Sequence, residues 1–329
     1  MKNLLFTILL CTFSHGAMFA QTDKDKTAAF QCSFLPPLST NGIQSYHYTN
    51  DASFNLLAGI SKNEKAFAFA GLGNIVLKDG NGFLFAGLFN YTGRDGKGMS
   101  FSGLMNMTKK EYSGFQMGGI TNYAGKMKGF QLAGIANIAG DITGFQFGGI
   151  VNKARNVSGV QFAGIINLAY SSDCPIGLIN IIKDGEMGVA ITYNETGSTM
   201  ITFRSGGKFT YGIIGLGYNH KVSSWYTTEV GLGAHINCFR WLKINNELKV
   251  ASIGNASTHP TFTANYSLLP AFRLTPHIEL FAGPSINYMN AKNTESSDLL
   301  PQHSIWEKNG DTRMQRGYIG YQAGIQYIF

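Results

Sequence analysis

Charge is the first thing this chain is short of. Only 14% of its 329 residues are Asp, Glu, Lys or Arg, against roughly a quarter in ordinary soluble domains. Cysteine is scarce too, with four residues, long spacings and no Cys-x-x-Cys pair, so neither a disulfide framework nor a thiolate metal site follows. No apolar run of about 18 residues lies beyond the N-terminus, so no transmembrane helix is predicted. The net charge of +7 is spread through turns rather than clustered, and no nucleic-acid surface is predicted. His47, His220, His259, His277 and His303 show no ligand spacing, so no metal or other cofactor is expected.

Glycine and aromatic residues are abundant instead, at 41 glycines and 13% Phe, Trp and Tyr. The N-terminus, MKNLLFTILLCTFSHGAMFA, has an early Lys2, an apolar stretch and Ala20 before Gln21, which predicts a secretory signal peptide over 1–20. Residues 21–50, with Pro36-Pro37, read as a periplasmic lead-in segment.

The centre of the chain is a repeat. Asn in Gly-(Ile/Leu)-x-Asn recurs at Asn74, Asn90, Asn106, Asn122, Asn137, Asn152, Asn167 and Asn180, in steps of 16, 16, 16, 15, 15, 15 and 13. With the degenerate unit at 54–61, this defines a repeat region over 51–182. Each unit alternates as a strand does. In the copy at 142–154, Thr143, Phe145, Phe147 and Val151 point one way, while Ile142, Gln146, Gly148, Asn152 and Ala154 point the other. Charges collect at the joints, among them Lys126, Lys128, Asp141 and Arg155.

Joints such as Ala139-Gly140-Asp141-Ile142 have the form of two-residue hairpin turns. That predicts an all-β fold: an antiparallel transmembrane β-barrel of about 16–18 strands, one strand per repeat in the first half. The Phe-x-Phe face would meet lipid. Gln116, Gln131, Gln146, Gln161, Asn122, Asn137, Asn152 and Asn167 would line the lumen, facing Glu229, His235, Lys243, Glu247, Lys249 and Glu279 on the opposite wall. The alternative is a β-solenoid over 52–182, with Asn and Gln in stacked ladders and Phe in the core, followed by a small C-terminal β-barrel of about eight strands. The Ile-x-Gly-Phe-Gln-Phe run shows no evident break for a coil to bend at, which counts against the solenoid.

Residues 183–329 continue to alternate without the exact repeat, and read as C-terminal barrel strands. Residues 225–237 place Tyr226, Val230, Leu232, Ala234 and Ile236 on one face and Thr227, Glu229, His235 and Asn237 on the other. The stretch 290–316 is the one long polar loop, and the chain closes on RGYIGYQAGIQYIF, an alternating strand ending in an aromatic residue. His235 with Asn237 and Glu229 is the best local acid–base set, but a lumenal hydrogen-bond cluster accounts for it, and no enzyme is expected.

The lead-in LPPLSTNG, the unit SFNLLAGIS, the tandem GFQxxGIxN units and CPIGLINIIKDG together resemble the surface-repeat outer-membrane proteins of Gram-negative bacteria, over about residues 34–240. The resemblance implies an outer-membrane or surface location and brings no catalytic residues. The chain is thus expected to be an outer-membrane β-barrel protein, porin-like as a passive pore or structural in the envelope. Its alternative role is a surface-displayed repeat protein for adhesion or scaffolding. Its expected partners are outer-membrane lipid and the barrel-assembly machinery, with small solutes or an unidentified surface ligand beside them.

Overall fold

A computed structural model describes residues 26–222, 225–255, 260–292, 299, 303–310 and 312–329. The expected signal peptide at 1–20 lies outside the described residues. The described residues are nearly all β, with a short 3-10 turn at Gly42–His47, and they divide between two sheets.

The first sheet holds seventeen strands from Lys26 to Ile182. Its repeats pair in parallel and in strict register: Asn122 lies beside Asn137, Gln131 beside Gln146 and Phe130 beside Phe145. Each repeat is therefore one coil of a β-solenoid. Burial marks three bends per coil. Asn122, Ala124, Met127, Gln131 and Ala133 face inward, and the pairs 125–126 and 134–135 and the stretch 128–130 interrupt the alternation. Strands that follow one another in parallel cannot be joined by hairpins, so the joints read as hairpin turns are bends within a continuing coil. The break that the sequence did not reveal is the glycine before Phe-Gln. Gly144 has φ of 131°, a region open to glycine and hardly to other residues. A Cβ there would stand 2.1 Å from the carbonyl oxygen of Gly129 in the preceding coil.

Residues 26–50, expected as a lead-in segment, belong to this sheet. The strand Lys26–Leu35 runs parallel to Tyr48–Asn55, with Phe30 beside Ala52 and Cys32 beside Phe54. Gln31 and Ser33 are buried, so this strand covers the interior of the first coil.

The second sheet is a closed antiparallel barrel. Eight strands run Met187–Asn194, Ser198–Gly206, Thr210–Asn219, Tyr226–Phe239, Leu242–Gly254, Thr261–Thr275, Ile278–Lys292 and Arg313–Ile328. The first pairs with the last, from Gly188 beside Ile328 to Asn194 beside Gln322. The expected 290–316 loop is shorter than read, because Ile278–Lys292 extends into it and Trp306–Asn309 adds a ninth strand against the last. The barrel is antiparallel as expected, but of the two arrangements the chain adopts the solenoid with a C-terminal barrel. The count of 16–18 barrel strands gives way to eight, because the repeats stack on themselves.

The two bodies meet end to wall. In a parallel solenoid, backbone hydrogen bonds run along the axis to the next coil. At the last coil Asn180 N–H instead donates to Ser205 Oγ at 3.0 Å, and Asn180 Nδ2 donates to the Ser205 carbonyl at 3.2 Å. Thr210 Oγ1 donates to the Pro175 carbonyl at 2.7 Å. Ser205 lies between the inward-facing Arg204 and Gly206 and is itself fully buried, so the barrel wall stands where a further coil would.

Candidate functional site

Three features carry the chemistry of this molecule: an amide-filled solenoid interior, an ion-paired barrel interior and broad apolar outer faces on both bodies.

Inside the solenoid, stacking makes each amide satisfy its neighbour. Asn122 Nδ2 donates to Asn137 Oδ1 at 2.9 Å, Asn137 to Asn152 at 3.0 Å and Asn152 to Asn167 at 3.1 Å. The second hydrogen of each Asn amide goes to a backbone carbonyl, as from Asn137 to Phe147 O at 2.6 Å. A second ladder runs the other way. Gln161 donates to Gln146 at 3.0 Å, Gln146 to Gln131 at 2.9 Å and Gln131 to Gln116 at 2.8 Å. Opposed donor directions let the dipoles of the two ladders offset each other. Gln161 Oε1 accepts no hydrogen bond, because its register partner is Pro175, which has no side-chain donor.

The solenoid buries a carboxyl one coil in from its N-terminal end. Asn50 Nδ2 and Ser53 Oγ donate to Glu64 Oε1 at 3.1 and 2.7 Å. Burial outweighs these bonds and pushes the Glu64 carboxyl up to about 7.

The barrel interior is filled by charge pairs. Arg204 lies 2.9 Å from Glu247, and Lys249 lies 3.1 Å from Glu247 and 3.7 Å from Glu229. Tyr211 Oη donates to Glu247 at 2.9 Å, and Lys249 bonds Gln322. Nearer the short turns, Lys243 pairs with Glu279 and Glu186, both at 2.8 Å, and Arg273 also reaches both carboxylates. Arg204 also stacks on Phe281, 4.2 Å from the ring centre. At the end with the longer connections, Trp225, Ile253, Met289, Leu299 and Tyr318 pack together and seal the lumen. A cavity of about 20 Å³ remains beside Arg204, Tyr211 and His235, room for about one water. An open depression of about 430 Å³ lies at the short-turn end, over Lys243, Arg273 and Glu279.

The sequence-derived lining residues are therefore split between two interiors. Gln116, Gln131, Gln146, Gln161, Asn122, Asn137, Asn152 and Asn167 fill the solenoid, while Glu229, His235, Lys243, Glu247, Lys249 and Glu279 fill the barrel. They do not face one another across a single lumen. Sequence reasoning missed Arg204, Tyr211, Gln322 and Gln326, whose inward phase was readable from alternation but whose partners lie on distant strands. His235 and Glu229 do not form an acid–base pair: six residues along one strand separate them by about 20 Å. His235 stacks on Tyr211 instead, with ring centres 5.7 Å apart. Among the described residues no group of three or more His, Cys, Asp or Glu side chains could hold a metal ion.

Both bodies carry large apolar outer faces. The solenoid Phe residues face outward rather than filling its core, because the narrow coil interior is taken by the amides, Ala and Met. Phe147 stacks on Phe162 and Phe54 on Phe69, with centres 5.0 and 5.1 Å apart. On the barrel, Ile191, Ile201, Leu216, Val230, Leu248 and Ile286 are exposed around the wall. Exposed aromatics gather near both strand ends: Tyr193, Tyr218 and Tyr226 at one, Phe239, Trp241 and Phe272 at the other.

No protein-family model matches this chain, and no curated protein matches it. Two solved structures that are similar are both de novo designs at 18% identity. One is described as "De novo design of transmembrane beta-barrels", with a TM-score of 0.26 over 44% of this chain and 93% of that one. The other is the solution NMR structure of de novo designed TMB2.3, with a TM-score of 0.25 over 44% of this chain and 97% of that one. The barrel assignment rests on the closed antiparallel ladder described above.

Proposed function

We propose that this protein is a structural component of the Gram-negative outer membrane, in which the barrel is a closed anchor and the solenoid is the part it holds in place. The observation that carries this reading is the pairing of a filled lumen with an apolar wall. An eight-stranded barrel is just wide enough for its own side chains, and here Arg204, Glu247, Lys249 and Glu229 occupy that space. The wall offers lipid an aliphatic band between two groups of aromatic residues, the arrangement that suits bilayer interfaces.

The connections set the direction of the anchor. Turns 207–209, 240–241 and 276–277 are short and share an end with the first and last strand termini, while the other end carries the three-residue turn 195–197 and the three longer connections, 220–225, 255–260 and 293–312. Membrane barrels keep short turns on the periplasmic side. The solenoid joins at the short-turn end, through Asn180 and Ser205, so this reading places it at the periplasmic rim. That argues against the surface-displayed adhesin, which would need the solenoid beyond the long loops.

The test is to fold the full chain into planar bilayers and record current, then to label single-cysteine variants in intact cells with a membrane-impermeant maleimide. The expected result is no stable conductance steps, labelling at Lys308→Cys in the long connection, and none at Lys97→Cys in the solenoid. Reproducible single-channel steps would restore the pore. Labelling of Lys97→Cys in intact cells would restore surface display.

A further inference from the structure

The outer surface of the solenoid is sorted by side. Charges collect beside the bend at 125–126, where Lys128 pairs with Glu111 at 2.8 Å and Arg155 with Asp141 at 2.8 Å across neighbouring coils. The side bearing the Phe-Gln-Phe strand has no charge at any outward position. Two of its rows are aromatic or thioether-rich, as at Phe67, Phe83, Met99 and Phe130, and the adjoining bend carries Leu88 and Ile135. These side chains are well exposed, Phe130 at 53% and Ile135 at 44%. Coils about 4.8 Å apart make this face roughly 35 Å long and 15 Å wide. That is as large as the largest apolar patch of an ordinary soluble monomer, and far flatter and more uniform.

We infer that this face is a second lipid-binding surface, lying against the bilayer leaflet beside the short-turn rim of the barrel. The inference rests on the anchor reading above, and three observations select lipid as the occupant. The solenoid is joined end-on to the outer wall of the barrel, at Ser205 and Thr210, so its axis points into the wall and its sides run outward from the rim. At the junction Ile176, in register with Phe162 of the Phe-Gln-Phe side, lines one apolar depression with Leu232 and Leu248 of the barrel wall, so the apolar face continues the lipid-facing belt. The face also offers a protein partner little to read: its open depression of about 220 Å³ is lined by Met117, Leu132, Phe147 and neighbouring Gly and Ala residues, with no polar side chain, and acyl chains require none. Finally, residues 26–182 carry twelve Lys and Arg against seven Asp and Glu. This excess borders the apolar side, where anionic headgroups would meet it.

The side-on attachment gives the solenoid a task that stacking alone would not. It acts as a stiff arm spread over the leaflet, its amide ladders holding the coils in register so that one flat face stays presented to lipid. The charged side faces water and keeps the arm from sinking through the interface.

The experiment uses the full chain with Cys11, Cys32, Cys174 and Cys238 replaced by Ser, folded into phosphatidylethanolamine–phosphatidylglycerol vesicles with brominated acyl chains. An environment-sensitive fluorophore is placed singly at Leu216→Cys on the barrel belt, at Phe130→Cys or Ile135→Cys on the solenoid face, and at Lys126→Cys on the charged side. The expected result is loss of emission at 216, 130 and 135, and none at 126. Quenching at 216 without quenching at 130 and 135 overturns this inference and leaves the anchor standing. No quenching at any site overturns both. A label at 130 shielded from iodide yet unquenched by bromolipid points to a protein or a second copy on the face, and overturns the lipid assignment.

Discussion

The solenoid and the barrel both bury polar side chains, and they satisfy them by different means. In the solenoid the partner of each residue is itself: Asn137 sits between Asn122 and Asn152, and Gln131 between Gln116 and Gln146. A neutral amide that donates and accepts can be stacked without limit, whereas stacked carboxylates or ammonium groups would repel. The barrel has no repeat along which to stack, and its inward residues meet across the lumen from different strands. There, opposite charges pair: Arg204 with Glu247, Lys249 with Glu229 and Glu247, Lys243 with Glu279. Translational order thus favours amides, and closure around an axis admits ion pairs.

The largest effect should come from breaking the barrel network. Replacing Lys249 with Met leaves Glu229 and Glu247 facing each other with one cation fewer, at a cost of about 3–5 kcal/mol. The prediction is an earlier urea unfolding transition of the vesicle-inserted barrel, with the solenoid transition, followed by far-UV signal and proteolysis, little changed.

Glu64 sharpens the same comparison, because it is a lone carboxyl among the neutral side chains of the solenoid. Its carboxyl titrates near 7 when folded and near 4.5 when free. The folded chain holds this proton more tightly, so its contribution is complete below about pH 4.5 and is lost as pH rises through about 7. The shift corresponds to about 3 kcal/mol. Denaturant midpoints of the solenoid should fall between pH 5 and 8, and Glu64→Gln should flatten that profile. An unchanged slope in the variant would mean that another group sets it.

The amide ladders should then differ from each other. Asn137→Ala removes a bond to Asn152, a bond to Phe147 O and the acceptor for Asn122, at about 2–3 kcal/mol. Gln131→Ala loses ladder bonds but no bond to a backbone carbonyl, and should cost about 1 kcal/mol less. Equal losses would show that stacking, not the carbonyl bond, carries the Asn ladder. The smallest effect belongs to the exterior: Phe130→Ser should change stability in lipid-free detergent by no more than about 0.5 kcal/mol, while reducing retention on vesicles.

Much of this was legible in the sequence. The alternation in 142–154 assigned Gln146 and Asn152 to one face and Phe147 to the other, and the structure keeps that division. The inward phase of Glu229, Lys243 and Glu279 was equally readable. What the sequence did not reveal was which strand lies next to which. A two-residue joint at Gly140-Asp141 serves a hairpin or a coil bend, and the choice depends on whether Asn137 is better opposite Gly144 or opposite Asn152. The glycine at 144 was visible as a residue, but its φ of 131° was not. Residues 26–50 were misplaced because their single coil departs from the repeat, although Gln31 takes an amide's inward place.

By itself the sequence determined two solvents for two faces: a period-two pattern with oily residues on one side and amides or charges on the other, because successive strand side chains must point in opposite directions. Only the tertiary structure decided that the amides close on one another in a dry interior while the oily residues remain outside. Identical amides stacked one coil apart satisfy one another, and no single antiparallel register of the same strands could bring both ladders together.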